Sequence, residues 1–251
     1  MSVVSKVDNI IDSLRLRILA GEFDGGKLPS FRKLVVEYKT SQETMNKAMQ
    51  TLQAEGLLLS AGAKGVFTDV QRIRMPGLVA HFFRYLETAK LEGKGEMIGK
   101  PEIITPSEEI AERMHLEKNE KVLYRKRRQG TIHSPFRLVD GYYPMSLISD
   151  SMLAKIYKDP YFHISEAIEK EFGLSTHFVH EEIIARLPTG YEQENLKIVR
   201  TNPVIEAKFI NYSGDKKKVI VYNEMILNAN HFLLSYDYDV DLTLTEKKKK
   251  K

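Results

Sequence analysis

Residues 28–58 read LPSFRKLVVEYKTSQETMNKAMQTLQAEGLL, and this stretch decides the fold of the first third of the chain. Pro29 breaks the backbone, and Ser30 is placed to cap a helix over 31–39 whose Leu34, Val35 and Tyr38 lie on one side. Two or three residues later Ser41 is placed to cap another helix, with Met45, Ala48, Met49 and Leu52 on one face at helical spacing. Glu55-Gly56 closes it, because glycine takes the left-handed conformation after a helix end without a steric cost. Two helices joined so tightly predict a helix-turn-helix.

Upstream, Val7, Ile10, Ile11, Leu14 and Ile18 predict an amphipathic helix over 7–18, capped by Ser5 and ended by Gly21. Downstream, two apolar runs, Leu57-Leu58-Leu59 and Val66-Phe67, flank a glycine-containing turn over 62–65 and predict a β-hairpin. Residues 1–69 therefore read as a winged helix-turn-helix. The outward face of its third helix carries Gln42, Thr44, Asn46 and Lys47 within the first two turns, where a recognition helix meets base edges. Asn and Gln read adenine in the major groove, whereas Lys47 suits phosphate or guanine. An ordinary solvated helix face uses the same residue types, so this reading rests on the whole arrangement.

That arrangement resembles a known family. Leu28-Pro29-Ser30-x-Arg32-x-Leu34, Ser41-x-x-Thr44-x-x-x-Ala48, Leu52-x-x-x-Gly56-Leu57-Leu58 and Lys64-Gly65-x-Phe67 are similar to the GntR family of bacterial transcription regulators over about residues 5–69. The resemblance implies double-stranded DNA as a partner. It implies that Arg32 anchors the motif on phosphate or base, that the helix opened by Ser41 enters the major groove, and that a wing around Lys64 and Gly65 approaches the minor groove. Positions 42 and 46, usually arginine in such proteins, are Gln42 and Asn46, and Ala63 opens the wing tip. A different operator and fewer phosphate contacts follow.

The chain has 251 residues, and at roughly 100–200 per domain two domains fit. With 42% hydrophobic and 29% charged residues it can bury a core. No run approaches the roughly 18 apolar residues of a membrane span, and Lys6, Asp8 and Asp12 interrupt any secretory-signal pattern, so a soluble cytoplasmic protein without a membrane partner is expected. There is no cysteine, the seven histidines show no metal-ligand spacing, and no glycine-rich phosphate loop is present, so no metal or cofactor is expected. The net charge of +4 comes largely from Lys247–Lys251; without those five it is −1. Residues 241–251 read as a disordered lysine-rich tail.

Residues 70–99 read as a linker, without periodicity over 69–77, followed by a connecting helix over 79–91. Beyond it a short strand at 103–104, a helix opened by Ser107, and paired strands over 121–129 and 135–143 are expected. Helices over 151–157 and 165–172 follow, then strands over 177–187, 204–212, 218–227 and 232–238. Strands without repeating βαβ units predict an α+β fold built on an antiparallel sheet over 100–240. Ala111-x-x-Met114-x-Leu116, Val122-x-x-x-x-Arg127, Pro135 with Pro144, Ser165 before Ile168-x-x-x-Phe172-Gly173-Leu174, and Asn202-Pro203-Val204 resemble the UTRA effector-binding domain of the HutC subgroup of the same family.

The resemblance implies a chorismate lyase-like fold, a small-molecule effector in a cleft beside the sheet, and a homodimer formed through this domain. It points to Arg127, Ser165, Tyr222 and Glu224 as effector-binding candidates. Where sugar-phosphate-binding relatives carry a second arginine and two acids, this chain has Gln129, Val139 and Val221, so a less charged pocket is expected. Each candidate also has a plainer reading: Arg127 solvated, Ser165 a helix N-cap, Tyr222 packing. The function expected is an effector-modulated regulator acting as a repressor. A ligand-free dimeric regulator and a lyase-like enzyme are the other readings, the latter on fold analogy alone.

Overall fold

The computed structural model describes residues 5–23, 26–60, 65–68, 73–75, 77, 82–88, 92–131, 135–214 and 218–237. Three helices, α1 (Lys6–Leu19), α2 (Phe31–Glu37) and α3 (Gln42–Ala54), precede a hairpin of β1 (Leu58–Ser60) and β2 (Val66–Thr68). The caps fall where the sequence puts them. Ser5 closes a capping box with Asp8, Ser30 accepts from the Lys33 amide, and Ser41 accepts from the Thr44 amide. Ile10, Leu14, Ile18, Leu34, Met45, Ala48, Met49, Leu52 and Leu57 share one core.

The connector differs from the expected linker. Within it β3 (Ile73–Met75) forms a parallel pair with β11 (Phe232–Leu234), residues far away in sequence. Ile73 and Met75 are buried beside the short helix α4 (Phe82–Thr88). The strand β4 (Gly93–Met97), which follows α4, was not expected either. A Cβ at Gly93 would stand 2.5 Å from a Phe83 ring carbon, so only glycine lets α4 lie this close to β4.

The larger sheet is antiparallel, in the order β4–β6–β7–β10–β9–β8 with β5 (Glu102–Ile104) also on β6. Its long strands are β6 (Val122–Thr131), β7 (Pro135–Pro144), β8 (Phe178–Arg186), β9 (Val204–Tyr212) and β10 (Val219–Asn228). One face packs α4, α6 (Asp150–Ile156) and α7 (Ile164–Phe172); the other packs α5 (Glu108–Arg113) and α8 (Gly190–Leu196). Helix α8 was missed, although Thr189 and Glu192 form a capping box around its start. Ser165 is not the N-cap of α7. His163 holds that position without a side-chain hydrogen bond, and Ser165 lies inside the first turn. Among the described residues no helix is long and apolar enough to cross a membrane, and no cluster of His, Asp or Glu could hold a metal ion.

Candidate DNA-binding face and effector cavity

Helix α3 is anchored on one side by Met45, Ala48, Met49 and Leu52, which fixes what the opposite side presents. Gln42, Asn46 and Lys47 are exposed and Thr44 is half-buried. Ser41 Oγ lies 3.1 Å from the Thr44 amide that donates to it, and 2.8 Å from Thr44 Oγ1. Lys47 Nζ is 2.8 Å from Glu43 Oε1, so part of its charge is already met on the same helix face. Arg32 is exposed on α2.

Lys64 lies outside the described residues. Gly65 has φ +109°, and a Cβ there would stand 3.3 Å from Lys27 Cε. Lys27, bridged to Phe67 and exposed beside this wing, is a cation the sequence reading overlooked. Only its pairing across to the hairpin brings it there.

At its far end α3 is held firmly. Arg15 donates to both Glu55 carboxylate oxygens, at 3.0 and 2.6 Å. The Glu55 carbonyl accepts from Asn202 Nδ2 at 2.5 Å and from Asn230 Nδ2 at 3.1 Å, both from the sheet domain. Asn202 is only 1% exposed.

In the sheet domain, a cavity of about 510 Å³ opens between the sheet, α4 and the start of α7. Strand alternation decides its lining: Arg125, Arg127 and Gln129 from β6, Arg137 and Val139 from β7, and Val221, Asn223 and Met225 from β10. Of the four sequence candidates, Arg127 and Ser165 line the cavity. Tyr222 and Glu224, even-numbered on β10, face the other side of the sheet. There Tyr222 Oη donates to Glu224 at 2.8 Å and Tyr142 stacks on Tyr222, beside a Tyr124–Asp140 hydrogen bond of 2.5 Å. That network is internally satisfied, and burial pushes the Tyr222 and Tyr124 hydroxyls above their usual range.

The expectation of a less charged cavity is also corrected. Arg125 is 2% exposed and Arg137 is 5% exposed, and both line it beside Arg127. Arg125 donates to the Phe162 carbonyl at 3.1 Å, while Arg125 Nε and Arg127 Nε have no hydrogen-bond partner. The charges that act on Arg127 and Arg137 include no carboxylate, although Glu166 and Glu169 of α7 also line the cavity. Burial, followed by the charge of Arg125, lowers the Arg127 guanidinium to about 10; burial and then Arg127 lower Arg137 well below its ordinary value. Val139 and Val221 place no acid on the floor, as anticipated; the α7 wall adds Glu166 and Glu169, and against three arginines the lining stays net basic.

The description "Bacterial regulatory proteins, gntR family" matches residues 6–68, and the UTRA domain matches residues 98–232. The chain is 22% identical to the mannosyl-D-glycerate transport/metabolism system repressor MngR of Escherichia coli K12, covering 89% of this chain and 91% of that one. It is 23% identical to the HTH-type transcriptional regulator GmuR of Bacillus subtilis 168, covering 83% and 88%. The crystal structure of PhnF from Mycobacterium smegmatis has the same fold, with a TM-score of 0.63, 16% identity, and coverage of 92% of this chain and all of that one. Relatives across this family are transcriptional regulators and not enzymes, and the helix-turn-helix and UTRA parts are those of DNA binding and small-molecule binding. The chain belongs to the GntR family of bacterial transcriptional regulators, in the form that carries a UTRA domain.

Proposed function

We propose that the protein is a homodimeric cytoplasmic repressor whose grip on a near-palindromic operator is set by a small anion in the cavity. One observation carries this reading. The first turns of α3 face outward, while the last residue before its closing glycine is held by Asn202 and Asn230 of the domain that contains the cavity. Regulation then requires only that the anion bind the docked and undocked arrangements with free energies differing by about 1–3 kcal/mol. An anion is supported by three arginines that outnumber the two glutamates of the lining, Arg125 and Arg127 each with an Nε lacking a hydrogen-bond partner, and by the start of α7, which lines the cavity. Arg32 and Lys27 supply phosphate contacts, and Gln42, Thr44 and Asn46 read bases.

A gel shift with DNA from upstream of the protein's own gene tests the reading, and no retarded band at low salt would remove it. Asn46→Ala is expected to cost about 1–3 kcal/mol at one base position and little on random DNA. Equal losses on both would assign Asn46 to the backbone instead.

Two-fold operator symmetry needs a two-fold protein. The edge strand β8 pairs only with β9 among the described residues and exposes Ile183 and Ile184, with Leu187 following. Ile183→Glu with Ile184→Glu is expected to give monomers by analytical ultracentrifugation and to weaken binding to two half-sites far more than to one. A dimer that survives both changes would move the interface elsewhere.

A further inference from the structure

We propose that the effector is a two-headed acid, with one acidic group at the start of α7 beside Arg127 and a second on Arg137 beneath the connecting helix. The inference rests on the anion-binding reading of this cavity and adds a second, separate charge to it. The side chains that touch the Arg137 head are neutral, and the charge acting on it is the like charge of Arg127. Its Nε donates to Gln129 Oε1 at 3.0 Å, one terminal nitrogen lies 3.7 Å from Met225 Sδ, and the guanidinium stacks 4.0 Å above the Phe82 ring. These contacts position a cation without compensating it. A buried charge lacking a counter-ion is costly in a folded protein, and an apolar side chain of similar volume would fill the place more cheaply.

The two ends are distinct. Arg127 pairs in register with Val139 and Arg137 lies two residues further along β7, opposite Gln129. Their Cα positions are thus about 8 Å apart, combining two residues of strand rise with one inter-strand step. Gln129 and Phe82 hold the Arg137 head at the α4 end, whereas Arg125 reaches the Phe162 carbonyl at the α7 end. Between them the floor is Val139, Val221, Asn223 and Met225, none of them charged, which suits an uncharged middle. The ligand class is a compact aliphatic molecule with a phosphate or carboxylate at each end.

The test uses the full chain and two series of probes, alkyl phosphates and their ω-carboxylated counterparts of equal length, over about two to five methylenes, with inorganic phosphate as reference. At the best-fitting length the carboxylated probe is expected to bind about tenfold tighter, as a charge-assisted pair should, and Arg137→Gln is expected to bring the ratio of the two affinities to about one. No gain at any length, or a gain that survives Arg137→Gln, overturns the proposal; a single acid shared by Arg127 and Arg137 would give the first of these. Failure of the anion-binding reading looks different, because then neither series nor phosphate raises the melting temperature. Arg137→Met supplies an independent readout. Removing an uncompensated cation is expected to raise the melting temperature of the ligand-free protein, whereas a fall would mean that Arg137 serves the fold alone.

Discussion

Replacing Asn202 and Asn230 together by alanine is expected to free the winged helix from the sheet domain and to uncouple operator binding from the cavity. Both side chains donate to one acceptor, the Glu55 carbonyl at the end of α3. A helix end leaves its last carbonyls without intrahelical partners, so this oxygen depends on groups from outside. Losing both donors forfeits two hydrogen bonds and leaves a desolvated carbonyl, together worth about 3 kcal/mol. In an equilibrium between docked and free arrangements that is a factor of about 100. Arg15 still holds the Glu55 carboxylate from α1, so the helix itself stays in its own core. The variant should therefore bind its operator while no longer responding to the probes that wild type responds to. Small-angle scattering should show a larger radius of gyration. An unchanged radius together with an intact response would assign the coupling to another contact, with the β3–β11 pair the next to examine.

The same residues show what the sequence reveals and what it hides. The winged helix was legible because its signals are local: Ser5, Ser30 and Ser41 each cap the helix that follows within three residues. The strands of the sheet were legible for a similar reason, from runs bounded by Pro135, Pro144 and a glycine turn. The cavity was read only in part. Tyr222 and Glu224 are named as candidates although they alternate with Val221, which marks the cavity face of β10. Arg137 escaped notice because a lone cation between Phe136 and Leu138 looks like an ordinary solvated strand position; its burial depends on α4 and β10. Strand β3 could not be read at all. Three residues carry no period, and the partner that makes them a strand lies at the other end of the domain. Ser165 does not cap α7 because the helix starts at Ile164, two residues earlier than a Ser165 cap would put it, and Ser165 lines the cavity instead.

Acid should weaken the joint between the domains, through His231. This ring is 2% exposed, stacked on Phe136 with centroids 4.0 Å apart, and its Nδ1 has no hydrogen-bond partner. Burial lowers it from 6.5 to about 4. Between those values the unfolded chain binds a proton that the folded chain refuses, so stability is complete above about pH 6.5 and is lost as pH falls towards 4. The full loss is about 3 kcal/mol, of which about 2 kcal/mol is gone by pH 5. The first structure to yield should be the turn at 228–231, where Asn228 Oδ1 accepts from the Asn230 amide and Asn230 in turn grips Glu55. Opening there relieves the ring at a smaller cost than global unfolding. His231→Phe keeps the aromatic stack and removes both the titration and the orphaned nitrogen. Denaturant melts at pH 7.5 and 5 should therefore differ less for the variant than for wild type. An equal difference in both would place the acid-sensitive group elsewhere.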